Sequence, residues 1–82
     1  MSAGELLKMV RQQPFTPFRI HLSDTRVFDV RHREMIWVGL EVAYVGLFDI
    51  SGYLDRSEII AISHIVSLEP LPAASPATGT PP

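Results

Sequence analysis

Apolar positions change their spacing three times along this chain. Leu6, Leu7 and Val10 recur at helical spacing, with Lys8, Arg11 and Gln12 on the opposite side. Ser2 followed by Glu5 is the pattern of a capping box, in which a hydroxyl and a carboxylate each satisfy an orphan amide of the first turn. The spacing predicts a short amphipathic helix running to about Gln12. Pro14 ends it, because the residue before a proline is turned away from helical torsions. From Phe18 the period becomes two. Phe18, Ile20 and Leu22 alternate with Arg19, His21 and Ser23, and after the Ser-Asp-Thr turn Phe28 and Val30 alternate with Asp29 and Arg31. This is a hairpin of half-buried strands. Pro14 and Pro17 make its entrance stiff, while Phe15 and Phe18 supply anchors.

Alternation is then lost. Met35 to Val38 and Val42 to Phe48 are almost wholly apolar, and their β-branched and aromatic residues, split by Gly39-Leu40-Glu41, favour two strands over one helix. Asp49 to Ser57 reads as a turn-rich connection and Glu58 to Ile62 as a strand. A turn at Ser63-His64-Ile65 leads to a last strand, Val66 to Glu69, stopped by Pro70. The fold class expected is mainly β: a short N-terminal helix, then a small five-stranded, strongly bent antiparallel barrel. The domain spans 1–71, and the Pro/Ala/Thr-rich segment 72–82 is expected to be a disordered tail.

In Val42 to Leu47 and Ile59 to Ile62 both parities are apolar, more than a single small interior can hide. The expectation is an outer face covered by the helix or by another copy, with Ala43, Val45, Leu47, Ile59 and Ala61 as candidate interface residues. About 70 foldable residues make a domain that benefits from such help.

The order of elements resembles the Sm-like fold and the related Src-homology-3-like barrels. EIIAISHIVSLEP looks like the closing strand pair of the bacterial Sm-like RNA chaperones, where a lysine-histidine pair opens the last turn and holds uridine-rich RNA. His64 matches that histidine, and Ser63 stands in place of the lysine. The string PFxPFxIxL, an acidic turn, FxVxHxE and HIxxLEPL also resembles a group of small uncharacterised bacterial proteins. That group is commonly written with Asp-Gly at the turn and His-Pro-Glu after the second strand. Here the residues are Asp24-Thr25 and His32-Arg33-Glu34. The match runs from about Leu6 to Leu71 and implies a fold and a bacterial origin, with no activity to carry over.

Composition narrows the chemistry. Seven Lys plus Arg against nine Asp plus Glu give a formal charge of −2, so no long-range field draws the chain to a polyanion. Cysteine is absent, which removes disulfides, thiolate metal sites and a cysteine nucleophile. The first residues lack the apolar core of a secretory signal, and 35–48 is short of the ~20 residues of a spanning helix. A cytoplasmic location without a membrane partner is expected.

His21, His32 and His64 stand on separate elements without ligand spacing, so no metal or cofactor is expected. His32 and Glu34 would be the pair for acid–base work, and a polar turn is the reading preferred. There is no G-x-S-x-G, and Gly39, Gly46 and Gly52 are isolated. For RNA, Arg19, Arg26, Arg31, Arg33 and Arg56 with Tyr44, Tyr53 and Trp37 offer charge and stacking, though Arg alternates with Asp24, Asp29 and Glu34 as on a solvated face. Trp37 is expected in a core or an interface. The expected function is therefore a non-enzymatic, self-associating interaction or scaffold module, a homo-oligomer with room for another protein partner. The alternative is an Sm-like binder of single-stranded RNA using His64, Arg19 and Arg31.

Overall fold

The computed structural model describes residues 1–72. Helix α1 covers Ala3–Val10. Its capping box forms in full: the Glu5 amide donates to Ser2 Oγ at 3.2 Å and the Ser2 amide to Glu5 Oε1 at 2.9 Å. These bonds to the charged form hold the Glu5 carboxyl below its ordinary pKa. The helix stops before the expected Gln12. Its exit is fixed from a distance by Arg33, whose guanidinium donates to the carbonyls of Val10 (2.9 Å) and Gln12 (2.7 Å) and lies 5.5 Å from the Phe15 ring centre. A cation on the orphan carbonyls of a helix end satisfies both hydrogen bonding and the helix dipole. Leu6 and Val10 point into the core.

The stiff entrance anchors as expected. Phe18 is fully buried, with its ring 6.0 Å from that of Phe15, and Pro17 is buried too. The carbonyl of Pro17 accepts from the Leu71 amide at 2.8 Å, which ties the end of the last strand to the start of the first.

Six strands follow: β1 (Phe18–Leu22), β2 (Val27–Val30), β3 (Ile36–Val38), β4 (Val42–Phe48), β5 (Leu54–Ala61) and β6 (Ile65–Pro70). They form two three-stranded antiparallel sheets, ordered β2-β1-β6 and β3-β4-β5. The protein is thus mainly β with one short helix. The six strands correspond to the six runs read from the sequence, one more than the five-stranded barrel expected, and a 3-10 turn at Arg33–Met35 separates β2 from β3. A second 3-10 turn at Ile62–His64 joins β5 to β6. The apolar stretch 35–48 does divide into two strands. At their turn the Gly39 amide reaches the Val42 carbonyl at 2.8 Å, so close that a Cβ on residue 39 would lie 2.9 Å from that oxygen.

Strand β5 starts at Leu54, inside the expected connection, because the turn before it is tight. The Asp49 amide bonds the Tyr53 carbonyl, the Gly52 amide bonds the Asp49 carbonyl, and the Asp49 carboxylate accepts from the amides of Ser51 and Tyr53. The polar residues Asp55, Arg56 and Ser57 then continue the strand, and their polarity is what made them read as loop.

Inward-facing residues of both sheets and the helix make one core, including Phe18, Ile20, Val30, Ala43, Val45 and Ile60. Ala43 and Val45 are fully buried and Leu47 is half-buried on the same parity. These three were expected at a subunit interface; they line the chain's own interior instead. The sequence pattern could not show this, because with both parities apolar nothing in it says which face turns inward. The tail expected over 72–82 lies outside the described residues, apart from Pro72.

Candidate interaction surface

The outer face of the β2-β1-β6 sheet is dominated by polar pairs, with exposed Val27 opposite His21 and exposed Val66 as its apolar exceptions. Arg19 lies opposite Asp29 on one side and Glu69 on the other. It grips Asp29 with two hydrogen bonds, at 2.6 and 3.1 Å, and Arg31 approaches the same carboxylate at 3.4 Å. The Arg19 hydrogen bond, helped by the charges of Arg19 and Arg31, holds the Asp29 carboxyl below its ordinary pKa against a partial desolvation. His21 Nε2 lies 2.9 Å from Glu69 Oε1. At the turn, Asp24 accepts from the Arg26 amide and side chain, the amide bond being the main cause of its lowered pKa.

Arg19 and Arg31 share Asp29 near the open end of the first hairpin. His64 lies at the other end, its carbonyl accepting from the Ser23 amide at 2.9 Å. Arg19 and Ser23 are four residues apart on an extended strand, so roughly 13 Å separates the two places. Arg26 reaches Asp24 and Glu58, Arg56 reaches Glu58, and Arg33 is bound to backbone carbonyls. The hairpin arginines therefore have carboxylate partners within the chain and form no bare basic stripe.

His32 and Glu34 both line an open hollow of about 350 Å³ with Met35, Phe48 and Gly52. Among the described residues no group of three His, Asp or Glu gathers to hold a metal, and no helix is long and apolar enough to cross a membrane.

The β3-β4-β5 sheet presents the opposite character. Its register places Trp37 beside Tyr44 and Tyr44 beside Ile59, one apolar row across all three strands. These residues are 54%, 44% and 56% exposed. Val42 opposite Ala61 forms a second row. Toward the other end Phe48 and Leu54 lean across Gly46, where an added Cβ would stand 3.1 Å from the Phe48 ring and 3.3 Å from a Leu54 methyl. Glycine there lets the two large side chains close over the strand. The start of helix α1 borders Val42 and Ala61 across an open hollow, while the apolar face of the helix is spent in the core and leaves the Trp37-Tyr44-Ile59 row exposed.

Of the interface residues expected from sequence, Ile59 and half-buried Ala61 do lie on this outer face. Val42, Tyr44, Phe48 and Leu54 were not foreseen as members, whereas Trp37 was expected in a core or an interface. The signal that finds them is register, which a sequence read strand by strand does not contain. Trp37 itself is not a core residue. No family model, curated protein or solved structure matches the chain.

Proposed function

We propose that this chain is a self-associating interaction module that works by binding rather than by catalysis. The observation that carries the reading is the apolar outer face of the β3-β4-β5 sheet, centred on Trp37, Tyr44 and Ile59. Exposed apolar patches of several hundred Å² on a small domain mark interaction sites. The two sheets act as one strongly bent barrel of the Sm-like or Src-homology-3-like kind. In this barrel β2 and β3 are halves of one strand broken at Arg33–Met35, and β5 and β6 hinge at Ile62–His64. Support for that comes from the single shared core and from the brevity of both interruptions.

Light scattering on the purified chain at rising ionic strength, with and without single-stranded uridine-rich RNA, tests the reading. The expected particle has a mass that is a multiple of 9.1 kDa, holds that mass as salt is added, and retains no RNA. A monomer at every concentration overturns it. RNA retention that falls steeply with salt overturns it in favour of an RNA binder.

A further inference from the structure

Resting on the self-association reading, we infer that two copies pack face to face through their β3-β4-β5 sheets, with Tyr44 on the two-fold axis and Trp37 of each copy over the partner's Ile59. The first argument is area. Trp37, Val42, Tyr44, Phe48, Leu54 and Ile59 are each 36 to 56% exposed. Side chains of these sizes then offer roughly 600 Å² per copy, or roughly 1,200 Å² for the pair, above the ~1,000 Å² that a specific interface needs.

The second argument is charge. The paired outward positions of these strands, 37, 42, 44, 46, 48, 54, 57, 59 and 61, carry no Asp, Glu, Lys or Arg, and the exposed bulge residue Asp55 stands at the margin, away from the Trp37-Tyr44-Ile59 row. Self-apposition of the central row therefore meets no like-charge repulsion, and no basic group there recruits a polyanion.

The third is geometry. Strands β2, β3, β5 and β6 each end a sheet, so edge-to-edge pairing is the obvious rival. Pairing two edges satisfies backbone groups but leaves both apolar faces in water, and their removal from water is the larger driving force. Face-to-face packing covers them. A two-fold axis along β4 sets β3 against the partner's β5, so the bulky indole meets a smaller isoleucine and the ring of Tyr44 meets its own copy. The other in-plane axis stacks Trp37 on Trp37 and Ile59 on Ile59, and fits large against large.

The chain has no cysteine, so single-cysteine variants report proximity without background. Facing sheets stand about 10 Å apart, within reach of a short bis-maleimide. Y44C is expected to form a covalent dimer, as is an equal mixture of W37C and I59C chains. S67C, exposed on a strand of the other sheet, is expected to stay uncoupled. Y44K, with folding confirmed by circular dichroism, is expected to weaken association by roughly 30-fold or more, since a lysine would be stranded in a dry interface centre. I59K serves as the second such variant.

A particle that assembles but couples at S67C, or couples at W37C alone and never to I59C, overturns the face-to-face arrangement and leaves self-association standing. A chain that stays monomeric throughout overturns both.

Discussion

The two sheets share an interior and differ outside. On the β2-β1-β6 sheet, register places Arg19 between Asp29 and Glu69, so charges meet charges and only single apolar residues such as Val27 stand exposed among them. On the β3-β4-β5 sheet, the same kind of register places Trp37, Tyr44 and Ile59 in a row with nothing above them. The difference shows what outward residues do once the core is filled. Cross-strand ion pairs keep one face in water at little gain in stability, while a cross-strand apolar row costs solubility unless another surface covers it.

Neighbouring isoleucines on β5 give the largest contrast. Ile60 is 1% exposed and Ile59 points the other way. Ile60→Ala should cost about 2–4 kcal/mol in unfolding free energy through the cavity it leaves. Ile59→Ala should change the stability of the isolated domain by less than about 1 kcal/mol, yet reduce the self-associated fraction. Urea denaturation at low and high protein concentration checks both halves. Equal losses would erase the distinction between inner and outer faces.

Arg33 comes next, because it links the turn that separates the two sheets to the helix. Arg33→Met removes two charge-assisted hydrogen bonds and the contact with Phe15, at an expected cost of about 1–3 kcal/mol. Hydrogen exchange should show the loss first in amides of α1, with the β1-β6 ladder protected longer.

The hairpins of the two sheets sharpen the comparison further. Both close by one scheme, with the Leu22 and Asp49 amides bonding the carbonyls of Arg26 and Tyr53, and the Thr25 and Gly52 amides bonding those of Leu22 and Asp49. The fourth residue takes positive φ in each, 75° at Thr25 and 89° at Gly52. Glycine accepts that geometry freely, and a β-branched residue does not. Thr25→Gly should therefore raise the thermal stability, by about 1 kcal/mol, and Gly52→Ala should lower it by a similar amount.

The smallest effect is electrostatic. Asp29 has a lowered pKa in the folded protein, so its contribution is complete above the unfolded value of about 3.9 and is lost as pH falls through the lower folded one. Asp24 and Glu5 shift in the same direction. The loss from Asp29 should not exceed about 1 kcal/mol, as befits a partly exposed pair. In stability measurements stepped from pH 6 to pH 2, Asp29→Asn should flatten the decline below about pH 4.

Much of the fold was legible because its signals are local. The Ser2-Glu5 cap, the alternation of Phe18, Ile20 and Leu22, and the break at Gly39 each declare themselves within a few residues. The candidate surface was only half legible. That apolar residues exceeded what one interior holds could be counted along the chain. Which of Ala43 or Tyr44 faces outward depends on pairing across strands, and Trp37 joins Ile59 only through Tyr44. The role of Arg33 was hidden for a similar reason, since its partners lie more than twenty positions earlier.

Trp37 is the chain's one tryptophan and sits in the apolar row, which makes its fluorescence a direct reporter. On dilution of the purified protein, the emission should shift from the short wavelength of a dry indole to that of a hydrated one, with the midpoint at which the particle mass halves. An emission maximum typical of hydrated indole at every concentration, including those at which the chain is associated, would contradict docking through this face.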